Sequence, residues 1–197
     1  MRRTVAILLF DEVEVLDFAG PFEVFAVTDE LADHQFFRVV TVAPAKRPIR
    51  ARNGLSVNPD HSFADCPPPA ILIVPGGFGT RALLKDQAAL AWIRSVDSTA
   101  EIVASVCTGS LVLGRAGLLD GLPATTHHEC FDLLREHAPR ATVVETDRFL
   151  DNGHILTAAG ISAGLDLSLH LVARLHGAAV AEKTARYMEY HPSVKLF

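Results

Sequence analysis

The most chemically pointed feature of the sequence is a cysteine that follows a buried-looking apolar run and precedes a helical stretch. In Ala104-Ser105-Val106-Cys107-Thr108-Gly109-Ser110 the thiol is flanked by small residues, as a sharp strand-to-helix elbow requires. Such an elbow holds a nucleophile proud of a sheet and turns the first free N–H groups of the helix toward it. A helix N-terminus lowers a thiol's pKa, so Cys107 is expected to supply thiolate at neutral pH and to act as a nucleophile. A free cysteine is otherwise most often a small buried apolar residue. Cys66, ahead of Pro67-Pro68-Pro69, and Cys130, inside a helical stretch, fit that plainer reading.

Gly76-Gly77 is a second ingredient. Backbone without side chains can approach a ligand closely and aim N–H groups at a developing oxyanion, although the pair also serves as an ordinary turn. Asp17, in Val15-Leu16-Asp17-Phe18-Ala19-Gly20-Pro21, is an acid among apolar neighbours just ahead of an expected helix. It reads either as a helix cap or as a carboxylic acid kept neutral by burial, able to donate to a thiolate or relay a proton. His127 or His128 could serve as a general base, and His127-His128-Glu129 has the His-x-Glu spacing of a Cys-His-Glu triad. A metal held by His127, His128 and Cys130 is not expected, because adjacent histidines point apart and no further ligand pair is evident.

The elements that must position these groups alternate along the chain. Thr4 to Phe10 reads as a strand buried on both faces. Gly20-Pro21 is expected to open a helix from about Phe22 to Leu31, with Pro in the first turn. Strands are expected at Phe36 to Ala43, Ala70 to Pro75 and Glu101 to Val106. Helices are expected at Ala88 to Val96 and Thr108 to Ala116. Asn53-Gly54 and Asn152-Gly153 mark hairpin turns. A helix near Glu129 to His137 and a strand near Thr142 to Val144 follow, and helices at Ala163 to Leu175 and Ala178 to Tyr187 come last. This order predicts one α/β domain over residues 1–197, with a mostly parallel sheet and helices on both faces. In such a sheet ligands bind beyond the carboxyl ends of the strands. The loops Asp11 to Pro21, Gly76 to Gly79, Cys107 to Gly109 and Thr126 to His128 all leave strands at that edge.

Composition narrows the partners. The chain has 197 residues, 49% hydrophobic and 21% charged, with a formal net charge of −5. No dense Lys/Arg run is present, so neither nucleic acid nor an anionic membrane is expected as a partner. Met1-Arg2-Arg3 ahead of the first apolar run mimics a short signal peptide, but Asp11-Glu12 breaks the run and no cleavage pattern follows. Three cysteines without a CxxC or framework spacing point to a reducing, cytoplasmic setting with free thiols.

These motifs resemble the ThiJ/PfpI family of the class I glutamine amidotransferase-like superfamily. The resemblance runs through Leu16-Asp17-Phe18-Ala19-Gly20-Pro21-Phe22-Glu23, Val74-Pro75-Gly76-Gly77, Val106-Cys107-Thr108-Gly109-Ser110, Ala124-Thr125-Thr126-His127 and Thr157-Ala158-Ala159-Gly160. Aspartate at position 17 and the segment Met188-Glu189-Tyr190-His191-Pro192 look most like the isonitrile hydratase branch. The resemblance implies a flavodoxin-like three-layer sandwich, a homodimer, and neither metal nor organic cofactor. It implies Cys107 as nucleophile and Asp17 as its acid partner, with Thr108 and Gly77 shaping the site through backbone N–H groups; His127 lies near the cysteine in some relatives. Two departures stand out: His128 where relatives usually carry Trp, and Ala159-Gly160 where they often carry Gly-Gly.

The activity implied is addition of the Cys107 thiolate to a small electrophile, with isonitrile hydration through a thioimidate first. Glyoxalase or deglycase chemistry on dicarbonyls comes next. The same domain type forms the sensor half of AraC-like regulators, but no basic recognition helix is visible up to Phe197, so an enzyme is expected. A non-catalytic redox-sensing thiol is the remaining alternative.

Overall fold

A computed structural model describes residues 2–193. The first aliphatic run forms β1 (Arg3–Leu8), which lies between β2 (Phe37–Ala43) and β6 (Ile71–Val74). Between them in the chain come the hairpin β3 (Ile49–Arg50) and β4 (Ser56–Val57), and the short β5 (His61–Ser62). Beyond β6 come β7 (Ile102–Val106), the small parallel pair β8 (Pro123–Ala124) and β9 (Thr142–Val143), and the hairpin β10 (Phe149–Asp151) and β11 (Ile155–Ala158). The main sheet has seven strands in the order β10-β11-β7-β6-β1-β2-β5, all parallel except β10 against β11.

Every residue of β6 and β7 is buried, which is why these segments read as unbroken aliphatic runs and not as alternating ones. The helices form two packed groups. One is α1 (Val15–Glu30), α6 (Ala163–His176) and α7 (Ala178–Tyr187); the other is α2 (Thr80–Leu83), α3 (Gln87–Asp97), α4 (Gly109–Arg115) and α5 (Phe131–His137). The result is the mostly parallel α/β sheet expected from the element order, in the flavodoxin-like sandwich that the resemblance implies. The chain builds outward from β1 to β2 and then returns to β6 on β1's other side, so the strand order reverses at β1. The ends of β1, β6, β7 and β11 converge beside that point.

One expectation needs correcting. The first helix starts at Val15, not at Phe22, and Pro21 lies inside it. Asp17 is therefore a first-turn helical residue and not part of a loop. Pro21 removes the N–H that would bond the Asp17 carbonyl. The helix continues through it because one face is packed: Phe18, Gly20, Pro21, Val24 and Phe25 are all buried. The strand near Thr142 to Val144 forms as expected and pairs with Pro123–Ala124 in a separate small sheet. The hairpin at Asn53-Gly54 forms as expected, with both residues at positive φ, 62° and 92°.

Candidate active site

Cys107 leaves β7 at φ 55°, a left-handed conformation that costs a residue with a Cβ roughly 1–3 kcal/mol. The elbow is held by its own carbonyl, which accepts hydrogen bonds from Thr126 Oγ1 at 3.0 Å and Ser110 Oγ at 3.1 Å. Its N–H is shared between the carbonyls of Ala158 and Ala159, at 3.1 and 3.0 Å. The turn also requires glycine after it. A Cβ on Gly109 would stand 2.0 Å from the Val74 carbonyl oxygen, and one on Gly76 would stand 2.5 Å from the Thr108 nitrogen. Cys107 as a whole is 6% exposed.

Asp17 approaches from the first turn of α1. It is fully buried and does not cap the helix; Glu14 stands at the cap position without a side-chain cap bond. Asp17 Oδ2 instead accepts the Gly76 N–H at 2.9 Å, while Oδ1 is buried without a hydrogen-bond partner. Burial pushes its pKa up to about 7, with Glu14 adding to the rise and the Gly76 N–H and the neighbouring Cys107 thiol opposing it. Such a carboxyl passes between acid and base near neutrality.

The thiol does not behave as the sequence suggested. Burial first, and the charge of Asp17 second, push Cys107 up to about 12. The backbone N–H groups of Thr108 and Ile161 act in the opposite direction. The helix-start effect is therefore present but outweighed, because a short helix end cannot offset desolvation beside a carboxylate. When Asp17 is protonated that repulsion disappears and its O–H becomes a donor, so the two groups titrate as a pair.

The diglycine also differs from expectation. The Gly76 N–H is spent on Asp17, and the Gly77 N–H on Thr108 Oγ1 at 3.0 Å. Thr80 Oγ1 donates to the same Thr108 hydroxyl at 3.3 Å. In this state the glycines organise Asp17 and Thr108, and the N–H groups that favour the thiolate are those of Thr108 and Ile161, which line the cavity with Cys107.

His127 lines the same small cavity as Cys107 and Thr108, about 100 Å³ in volume. Its Nδ1 accepts the Glu129 backbone N–H at 3.3 Å, which places the proton of the neutral ring on Nε2. Burial and then neighbouring His128, whose ring centroid is 4.4 Å away, hold its pKa below the ordinary imidazole value. Glu129 thus meets the ring through its backbone and not through its carboxylate, and the Cys-His-Glu spacing forms no such triad. Among the described residues no hydrogen bond joins His127 to Cys107.

Four groups at this cavity were missed. Ile161, at φ 49°, contributes its N–H; nothing in its residue type signals that role. Cys130 lines the cavity, although its setting suggested an inert core thiol. Arg52 and Arg81 hold their guanidinium carbons 4.3 and 5.4 Å from the centroid of the exposed Phe78 ring at the mouth, with Arg52 also paired to Glu14 at 2.9 Å. No helix among the described residues is long and apolar enough to cross a membrane.

Comparison with known proteins adds to this geometry. Residues 3–174 match the DJ-1/PfpI family. The isonitrile hydratase of Pseudomonas putida is 37% identical over 193 residues, covering 98% of this chain and 81% of the hydratase. The HTH-type transcriptional regulator GbdR of Pseudomonas aeruginosa is 30% identical over 185 residues, covering 91% of this chain but 50% of the regulator. The chain thus spans about half the length of that regulator. The crystal structure of a ThiJ/PfpI family protein from Pseudomonas syringae superposes with a TM-score of 0.88 at 32% identity, covering 98% of this chain and 77% of that one.

Proposed function

The chain belongs to the DJ-1/PfpI family, and from that premise we propose that it is a cysteine-dependent enzyme hydrating a small isonitrile to the N-substituted formamide. The observation that carries this reading is the pairing of a strained elbow thiol with a buried carboxyl whose pKa lies near 7. The identity to an isonitrile hydratase supports the substrate class.

Ionised Asp17 takes the Cys107 proton as the sulfur forms a bond to the terminal carbon of the isonitrile. The same proton passes from Asp17 to that carbon, giving a thioimidate with a C–H and a C=N bond. Water then adds to the thioimidate carbon, giving one proton to Asp17 and the other to nitrogen. The C–S bond breaks, the carbonyl of the formamide forms, and Asp17 returns a proton to the leaving sulfur. The net change is addition of one water. The Thr108 and Ile161 N–H groups stabilise charge on sulfur in both halves of the cycle. His127, with its proton on Nε2, offers a donor from the cavity wall. The same reading carries a homodimer working in the cytoplasm on a small molecule, without metal or organic cofactor.

Side-by-side incubation with an alkyl isonitrile and with methylglyoxal, followed by NMR, tests the proposal. Formamide is expected from the first, and Cys107→Ser is expected to make none while keeping its far-UV circular dichroism. Formamide production by Cys107→Ser rejects the mechanism, and consumption of methylglyoxal alone replaces it with dicarbonyl chemistry. The 30% identity to part of GbdR favours a second reading, a ligand-sensing domain. Saturable isonitrile binding without turnover identifies that outcome.

A further inference from the structure

Ile161 is a β-branched residue at positive φ, and such a conformation persists only where the surroundings over-determine it. It follows β11, and its neighbour Ser162 stands at the start of α6. The side chain that grips this turn is Arg148, just ahead of β10. Its Nη2 donates to Ser162 Oγ at 3.0 Å, and its Nε donates to Asp166 Oδ2 in the first turn of α6.

Asp166 is fully buried, whereas Arg148 is 26% exposed. The other oxygen of Asp166 accepts the Tyr190 O–H at 2.9 Å and the Ser193 N–H at 3.3 Å. Arg148 is also tied to the elbow through the backbone. Its carbonyl accepts the Ala159 N–H at 2.9 Å, and the Ala159 carbonyl accepts the Cys107 N–H at 3.0 Å. One arginine thus bridges the strand edge beside Cys107 and the turn whose Ile161 lines the same cavity as Cys107. Neither step of the reaction described above uses it.

We propose that Arg148, anchored by Asp166, is a positioning residue that holds the Ile161 N–H against the Cys107 sulfur through its bond to Ser162. The assignment rests on Cys107 being the reacting group, but not on the identity of the substrate. Loosening the turn withdraws one of two backbone donors from the sulfur while leaving the other groups that face it in place. Those groups are Asp17 and Glu14 from the start of α1, Arg52 from the turn between β3 and β4, Arg81 from α2, and His127, Glu129 and Cys130 from the segment before α5.

The test is the rate of Cys107 alkylation by iodoacetamide against pH, followed by peptide mass spectrometry, with Cys66 as the internal control. Ser162→Ala removes one hydroxyl from a half-buried position, and Arg148→Lys keeps the charge but loses the fork. Both are expected to need a pH about half a unit higher to reach the parent's Cys107 rate, or to react about threefold more slowly at fixed pH. Cys66 is expected to be unchanged. A Ser162→Ala profile that superimposes on the parent's overturns the proposal, even if its melting temperature falls, since a merely structural bond moves stability and not the sulfur. Should Arg148→Lys fail to fold, as loss of a buried ion pair can cause, Ser162→Ala alone decides. A parent protein that shows the alkylation profile but no isonitrile turnover overturns the hydratase reading and leaves this one standing.

Discussion

Asp17 and Cys107 share one buried site: burial pushes both toward their protonated forms, and the charge of Asp17 pushes Cys107 further, while the Cys107 thiol acts on Asp17 in the opposite direction. The Gly76 N–H fixes the carboxyl in place at 2.9 Å. The titration of this pair is open to measurement.

The stability of the fold should carry the signature of Asp17. Its pKa rises from 3.8 in the unfolded chain to about 7 in the folded one, so the folded state binds more protons between those values. Stability is then greatest below about pH 4 as far as this group is concerned, and is lost as pH rises through about 7, with a slope of at most ~1.4 kcal/mol per unit. Urea unfolding of the parent and of Asp17→Asn at pH 5, 6, 7 and 8 is expected to show the variant's relative stability climbing across this window. Parallel curves would remove Asp17 as the titrating group.

The same substitution separates ionisation from catalysis. Asp17→Asn removes the charge that opposes thiolate formation, so Cys107 is expected to alkylate faster at neutral pH than in the parent. Formamide production is nevertheless expected to fall at least ~100-fold, because general acid–base help of this size is lost with the relay. A variant slower in alkylation would mean that Asp17 supports the thiolate by hydrogen bonding from its protonated form.

Gly109 tolerates no side chain. A Cβ there would meet two backbone oxygens, Val74 at 2.0 Å and Pro75 at 2.9 Å, neither of which can swing away as a side-chain tip can. Gly109→Ala is expected to cost ~3 kcal/mol or more, the upper end of the overpacking range, read from the urea midpoint. It should also abolish turnover, since relief of the clash displaces the elbow.

The hydroxyls on the Cys107 carbonyl can be weighed one at a time. Thr126→Val and Ser110→Ala each remove a buried donor from that oxygen. Each is expected to cost about 1 kcal/mol, and the double variant is expected to cost more than their sum, because the carbonyl then loses both side-chain donors. Additive costs in a double-mutant cycle would show that the elbow does not depend on them jointly.

His127 should matter less than its place in the cavity suggests. Its Nδ1 is occupied by the Glu129 N–H and its pKa is held low, so it is a poor proton acceptor in this arrangement. His127→Asn is expected to lower kcat by less than about tenfold, against complete loss in Cys107→Ser. A loss comparable with that of Cys107→Ser would make His127 an essential acid–base group.

What the residues alone disclosed and what they hid divide along a physical line. The aliphatic runs at Thr4 to Phe10, Ala70 to Pro75 and Glu101 to Val106 became strands within a residue or two, and Cys107 was identified as an elbow from its small neighbours. Both follow from local requirements: a doubly buried strand needs continuous apolar residues, and a tight turn needs little bulk. The start of α1 was misread because Pro21 signals a first turn locally, while packing of its face sustains a helix across it. The place of Ile161 in the cavity and the bonds of Arg148 to Ser162 and Asp166 had no local trace at all.

The sequence by itself determined the strand–helix alternation, the family to which the chain belongs, and the presence of a thiol on a sharp turn, since each is written in short-range pattern. Only the tertiary structure decided that the thiol's ionisation is opposed and not favoured, that the diglycine donors are already engaged, and that Ile161 lines the same cavity as Cys107. Those properties depend on desolvation and on hydrogen bonds between residues far apart in the chain, and their energies exist only once the strand ends have been brought together.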